Sequence, residues 1–177
     1  NTPPAKADPS TGTEADAPSP LTLPEGWRLS FDEPLVVRAN GACNAEANSG
    51  QSDARYVVKD DVVHDQVTKL TWMRCSEGQR WSADAGCQGV LRTFNCEQGN
   101  VARSQGWRVP SVDELETLVA KGCRNPAVDE TVFPGTPAGP YWTSSKVESN
   151  CWRVDFEYGG AYLSNWWDAY YIRLVRS

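Results

Sequence analysis

Six cysteines constrain this chain more than any other feature. They stand at Cys43, Cys75, Cys87, Cys96, Cys123 and Cys151 in a chain of 177 residues. An even number, spread along the sequence, reads as three disulfides made in an oxidising compartment. Spacing does not choose among the pairings that six cysteines allow. Each bridge is worth about 2–4 kcal/mol, chiefly by restricting the unfolded chain. A thiolate zinc site is the weaker reading, because the sequence has no CxxC pair and its one histidine is His64.

The expected location follows from those bridges: an exported protein, periplasmic or at the cell surface. The sequence opens on Asn1 rather than Met, so a removed leader is expected, and a membrane tether through an N-terminal segment stays open. No apolar run approaches the roughly 20 residues of a spanning helix. The net charge of -6, without a basic block, argues against nucleic acid or an anionic membrane as partner.

The chain divides by texture. Residues 1–25 are rich in Pro, Ala, Ser, Thr and acidic residues. They read as an extended tether or an ordinary disordered terminus. Residues 26–55 read as an extension packed on the main domain and pinned by Cys43, with a strand at Leu35-Val36-Val37. From Tyr56 short β-prone runs begin: Tyr56-Val57-Val58, Val62-Val63-His64 and Lys69 to Cys75. A short helix is expected near Trp81–Cys87 or Glu97–Ser104. The clearest helix spans Val112 to Lys121. Ser111 and Glu114 form a capping box, Val112, Leu115, Leu118 and Val119 make an apolar stripe, and Gly122 stops it. Four strands follow, at Tyr141–Ser145, Cys151–Phe156, Ala161–Ser164 and Tyr170–Val175, with a hairpin turn at Tyr158-Gly159-Gly160. The fold class is α+β, with short twisted antiparallel strands and one or two helices.

Seven fragments in order carry a family resemblance. They are Val63–Trp72 ("VHDQVTKLTW"), Met73–Gln79 with Cys87-Gln88-Gly89, Trp107–Leu115 ("WRVPSVDEL"), Cys123–Val128 with Val132–Pro137, Tyr141–Ser145 ("YWTSS"), Trp152–Phe156 ("WRVDF") and Tyr171–Arg176 ("YIRLVR"). Residues 56–177 thereby resemble the DUF1566, or Lcl C-terminal domain, family of exported bacterial proteins. Lys69 departs from the glycine usual at its place. The resemblance implies a C-type-lectin-like fold with long loops. Some relatives are similar to glycan-binding adhesin tips, others to diversified receptor proteins. It also implies a Cys75–Cys87 bridge, with Cys123–Cys151 and Cys43–Cys96 as looser guesses for the rest.

Most single motifs read as structure. Trp107, Trp72, Trp142 and Trp152 suit a core, and Arg108 suits a nearby carbonyl or carboxylate. Arg173 and Arg176 read as surface salt-bridge residues, with contact to an anionic ligand as the sharper alternative. The stretch Tyr158–Tyr171 differs. Tyr158, Tyr162, Asn165, Trp166, Trp167, Asp168, Tyr170 and Tyr171 crowd around an expected loop. Exposed Tyr and Trp give contact area at low ordering cost, and Asn and Asp fix orientation. Packing over a small core is the bland alternative.

No cofactor or metal is expected. Calcium is a minor reading, since Asn165 and Asp168 lack the lectin order and Asp60, Asp61 and Asp65 could supply only part of the six to eight oxygens it takes. Nucleotide and nucleophile-elbow signatures are absent, so an enzyme is not expected. The expected function is a recognition module binding a glycan or protein through this C-terminal surface. The alternative is an assembly component of a pilus, secretion system or other envelope complex.

Overall fold

The β-hairpin is the repeated unit of this domain. The computed structural model describes residues 55–100 and 104–177. The tether, nearly all of the 26–55 extension, the strand expected at 35–37 and Cys43 lie outside the described residues.

Strands β1 (Tyr56–Lys59) and β2 (Val62–Asp65) turn at Asp60-Asp61. Strand β3 (Thr71–Met73) pairs with β2, and β9 (Val175–Arg176) completes a sheet of order β1-β2-β3-β9. The C-terminus is therefore built into the first sheet, in a regular strand far shorter than the alternation at 170–175 suggests. Strands β4 (Gln79–Ser82) and β5 (Gly86–Gly89) form a separate hairpin. This excludes the helix considered at Trp81–Cys87. Helix α1 (Cys96–Gly99) overlaps only the start of the other candidate region, Glu97–Ser104, with Asn95 and Gln98 forming a reciprocal capping box. Strands β6 (Pro140–Val147), β7 (Asn150–Asp155) and β8 (Gly160–Asn165) make a third sheet in chain order. All these pairings are antiparallel, so the α+β expectation holds.

Strands β6 and β7 of the third sheet send side chains into cores on both faces, which fixes how those side chains divide. Tyr141 and Val154 are cross-strand partners and enter one core with Trp72, Leu115, Phe133 and Phe156. Trp142 and Cys151 enter a second core with Cys96, Trp107 and Ile172. Alternation along β6 and β7 thus feeds two apolar clusters rather than one buried and one wet face.

The capping box at Ser111 and Glu114 is present, and Arg108 grips the same Glu114 with two bonds of 2.7 Å. The helix itself, α2 (Val112–Glu116), is shorter than the stripe suggests. Leu118 and Val119 donate three residues back, to Leu115 and Glu116, and Ala120 donates to Ala127 instead. A partner from a distant loop thus takes over the backbone where the helix would have continued.

Two further expectations are corrected. Cys75 pairs with Cys87 as the resemblance implies, but Cys96 pairs with Cys151. This excludes both Cys123–Cys151 and Cys43–Cys96; Cys123 is disulfide-bonded as well. Secondly, Arg173 is fully buried. It donates to the carbonyls of Met73 (2.9 Å) and Arg74 and to the hydroxyls of Ser76 (3.3 Å) and Thr136 (2.7 Å). Its guanidinium lies 4.8 Å from the Phe133 ring centre. The last segment is covered on both sides, so alternation there does not mean one solvent face.

Candidate functional site: the C-terminal aromatic surface

The β7–β8 hairpin sets the geometry of the surface. Asp155 pairs with Gly160 at the turn, so Arg153 falls opposite Tyr162, and Cys151 opposite Ser164. Gly159 makes the turn possible: its φ is +82°, and a Cβ there would come within 2.7 Å of Val119. Gly160 makes room for a neighbour, since a Cβ would meet the Tyr162 hydroxyl at 2.7 Å. The Tyr162 ring therefore leans back along the strand over the glycine.

Arg153 organises the centre. Its Nε donates to Ser164 Oγ at 2.7 Å and its Nη1 to Asp155 Oδ2 at 2.6 Å. Its Cζ lies 5.0 Å from the Tyr162 ring centre and 5.4 Å from that of Tyr170. Both distances suit cation–π contact. The Tyr170 hydroxyl donates to Asp168 Oδ2 at 3.1 Å and lies 3.5 Å from Ser164 Oγ. Two tyrosines, two carboxylates, a hydroxyl and a guanidinium thus share one patch, with the positive charge paired locally.

At one end of β8 the chain turns at Asn165–Asp168, closed by the Asp168 N–H donating to the Asn165 carbonyl at 3.1 Å. Trp166 and Trp167 stand on this turn, 40% and 60% exposed, with ring centres 5.8 Å apart and nearly perpendicular. The turn is anchored: Cys96 N–H donates to the Trp166 carbonyl at 3.0 Å, and Cys96 is bridged to Cys151 on β7. At the other end Tyr158 is 58% exposed beside Arg124, 6.0 Å away. Neighbouring Glu157 raises the pKa of the Tyr158 hydroxyl. Strand β8 spans roughly 17 Å at about 3.3 Å per residue, so these rings form an extended surface rather than a pocket.

The eight residues singled out from the sequence do not all play one role. Tyr158, Tyr162, Asn165, Trp166 and Trp167 are exposed, and Asp168 is partly so. Tyr170 is half-buried, its ring 4.6 Å from Trp142, and its backbone pairs with Phe94. Tyr171 packs at 5.5 Å from Tyr141 on the first core. These last two support the surface from below. Arg153, Asp155 and Ser164 were not among the eight. Closing a hairpin at Tyr158-Gly159-Gly160 would have put Arg153 opposite Tyr162, and that register is the signal that finds them.

Apart from this surface, a concavity of about 780 Å³ lies at the β4–β5 hairpin, lined by Asp60, Glu77, Arg80, Trp81 and Arg92 among others. Its walls carry both charges, and Arg74 covers the Trp81 ring at 3.5 Å. His64 is buried, with its Nδ1 3.4 Å from Thr71 Oγ1. Burial, with Lys69 nearby, lowers its pKa. Among the described residues no group of three His, Cys, Asp or Glu side chains is placed to hold a metal, and no helix is long and apolar enough to cross a membrane.

No curated protein and no solved structure matches the chain. The Lcl C-terminal domain family model matches residues 61–176, a span that holds the second core, all of the first but Tyr56 and Val58, the two mapped disulfides and the whole aromatic surface. The chain belongs to the Lcl C-terminal domain family.

Proposed function

We propose that this chain is an exported bacterial recognition module, with a C-type-lectin-like fold, that binds a glycan or protein ligand through the Tyr158–Asp168 surface. The observation that carries the reading is the exposure of Trp166 and Trp167 on a turn held by α1 and the Cys96–Cys151 bridge. Large rings in water cost free energy unless a partner covers them, and a pre-anchored turn loses little entropy on binding. Flat Trp and Tyr faces suit the apolar faces of sugar rings or the side chains of a protein hot spot. Arg153, Asp155, Ser164 and Asp168 supply directional hydrogen bonds beside them. The disulfides suit an oxidising, extracytoplasmic setting. Burial of His64, the single histidine, favours a binder over a histidine-dependent hydrolase.

Glycan-array and pull-down assays of the chain and its W166A/W167A variant test the reading. Ligand capture by the parent and its loss in the variant are expected. Capture at full affinity by the variant sinks the assignment.

A further inference from the structure

Strand β8 is the outer strand of its sheet, and its free edge differs from every other sheet edge among the described residues. Natural sheets blunt exposed edges with short strands, lysine, proline, bulges or covering chain. Strand β1 has four residues and ends on Lys59; β4 and β5 have four each; β9 has two. Strand β6 begins at Pro140, carries Lys146 and shifts register between Trp142 and Lys146. Chain segments also cover β6: Trp142 N–H donates to Tyr171, Ser144 N–H to Pro110, and Tyr171 N–H to Pro140.

Among the described residues none of these devices protects β8. It runs six residues, Gly-Ala-Tyr-Leu-Ser-Asn, without proline or charge, and pairs with β7 in unbroken register. From Gly160 to Ser164, no backbone hydrogen bond to any element but β7 occurs among the described residues. Alternate residues of an edge strand turn their N–H and C=O outward. Two large apolar side chains on the strand itself are exposed, Tyr162 at 48% and Leu163 at 44%.

We infer that β8 pairs antiparallel with β8 of a second copy of this chain, joining two three-stranded sheets into one of six. The ends of the strand select this occupant. Trp166 and Trp167 follow its C-terminal end, while Tyr158 and Arg124 mark its N-terminal end. A two-fold axis midway between the two β8 strands brings the tryptophans of one copy toward the tyrosine and guanidinium of the other, twice. Such an interface is isologous and closes on itself. The strand is uncharged, so self-pairing sets no like charges opposite each other despite the net charge of -6 on each chain. The pairing runs in the plane of the sheet, so the Arg153–Tyr162 patches of the two copies become parts of one wider face.

The test is light scattering and sedimentation of the full disulfide-bonded chain over a wide concentration range, beside Leu163→Lys and Arg124→Glu. The expected result is a concentration-dependent species of twice the chain mass. Leu163→Lys, which sets two lysines near the axis, weakens it by about tenfold or more, and Arg124→Glu weakens it also. Circular dichroism checks that Leu163→Lys, at an already exposed site, remains folded. Hydrogen exchange gives a second reading: amides in 160–165 gain protection as the parent is concentrated. A monomer at every concentration overturns the inference, as does a dimer indifferent to both substitutions or one without protection of β8. A monomer that captures a glycan or a foreign protein on this edge also overturns it, while leaving the ligand reading to its own W166A/W167A test.

Discussion

The Arg153 guanidinium lies 5.0 Å from the centre of the Tyr162 ring while bonding Asp155 and Ser164 on either side. This relationship holds an exposed ring in one orientation without burying it. Tyr162→Ala should therefore lower folding stability by less than about 1 kcal/mol, as expected for a half-exposed residue outside both cores. Ligand capture should fall far more. Urea unfolding and binding measured on the same preparation separate the two effects.

The disulfide map makes a second prediction. A non-reducing digest should yield one peptide joining Cys75 to Cys87 and another joining Cys96 to Cys151. The bridges close loops of 12 and 55 residues in sequence separation. On the chain-entropy account they contribute about 3 and about 4 kcal/mol. Paired Ser substitution of Cys96 and Cys151 should therefore destabilise more than that of Cys75 and Cys87, read from urea midpoints. It should also free the Trp166–Trp167 turn from β7, which weaker ligand capture would report.

Arg173 yields a third. Its acceptors are carbonyls and hydroxyls, with no carboxylate among its bonds. Burial lowers its pKa. Arg173→Met keeps the bulk but leaves those acceptors without their donor, at a cost of about 2–4 kcal/mol. The measurement is a chemical denaturation curve. Arg176→Met, next to the exposed chain end, should cost much less.

Acid stability yields a fourth. The Arg108 fork holds the Glu114 carboxyl below its usual value of 4.5. A depressed folded-state pKa means that the unfolded chain binds the proton first. The contribution is thus full above about 4.5 and is lost as the pH falls through the lower folded value. Arg108 is well exposed to solvent, so the amount is about 0.5–1 kcal/mol. Glu114→Gln should flatten this part of the stability–pH curve, measured by thermal unfolding from pH 3 to 7.

What could be read from the sequence divides by the range of the interaction. The Ser111–Glu114 cap, the β1–β2 turn and the β7–β8 hairpin depend on residues close in sequence, and they are where the pattern puts them. Helix α2 stops early because Ala120 finds Ala127, and the Cys96–Cys151 bridge depends on where α1 docks. Neither is written in local spacing. Arg173 misleads for the same reason: alternation cannot tell a segment covered once from one covered twice. At the candidate surface the ring types were plain in the sequence. The division into exposed Trp166 and Trp167 and supporting Tyr170 and Tyr171 needed the Phe94 and Tyr141 contacts that hold the latter pair.

The most direct measurement compares two double variants against the ligands that the parent captures. W166A/W167A strips the C-terminal aromatic surface. R80A/R92A alters exposed residues lining the β4–β5 concavity. Loss of capture in the tryptophan variant, with full capture by the arginine variant and equal folding of both, is the expected result. Full capture by W166A/W167A together with loss in R80A/R92A would contradict it and move the binding site to the β4–β5 concavity.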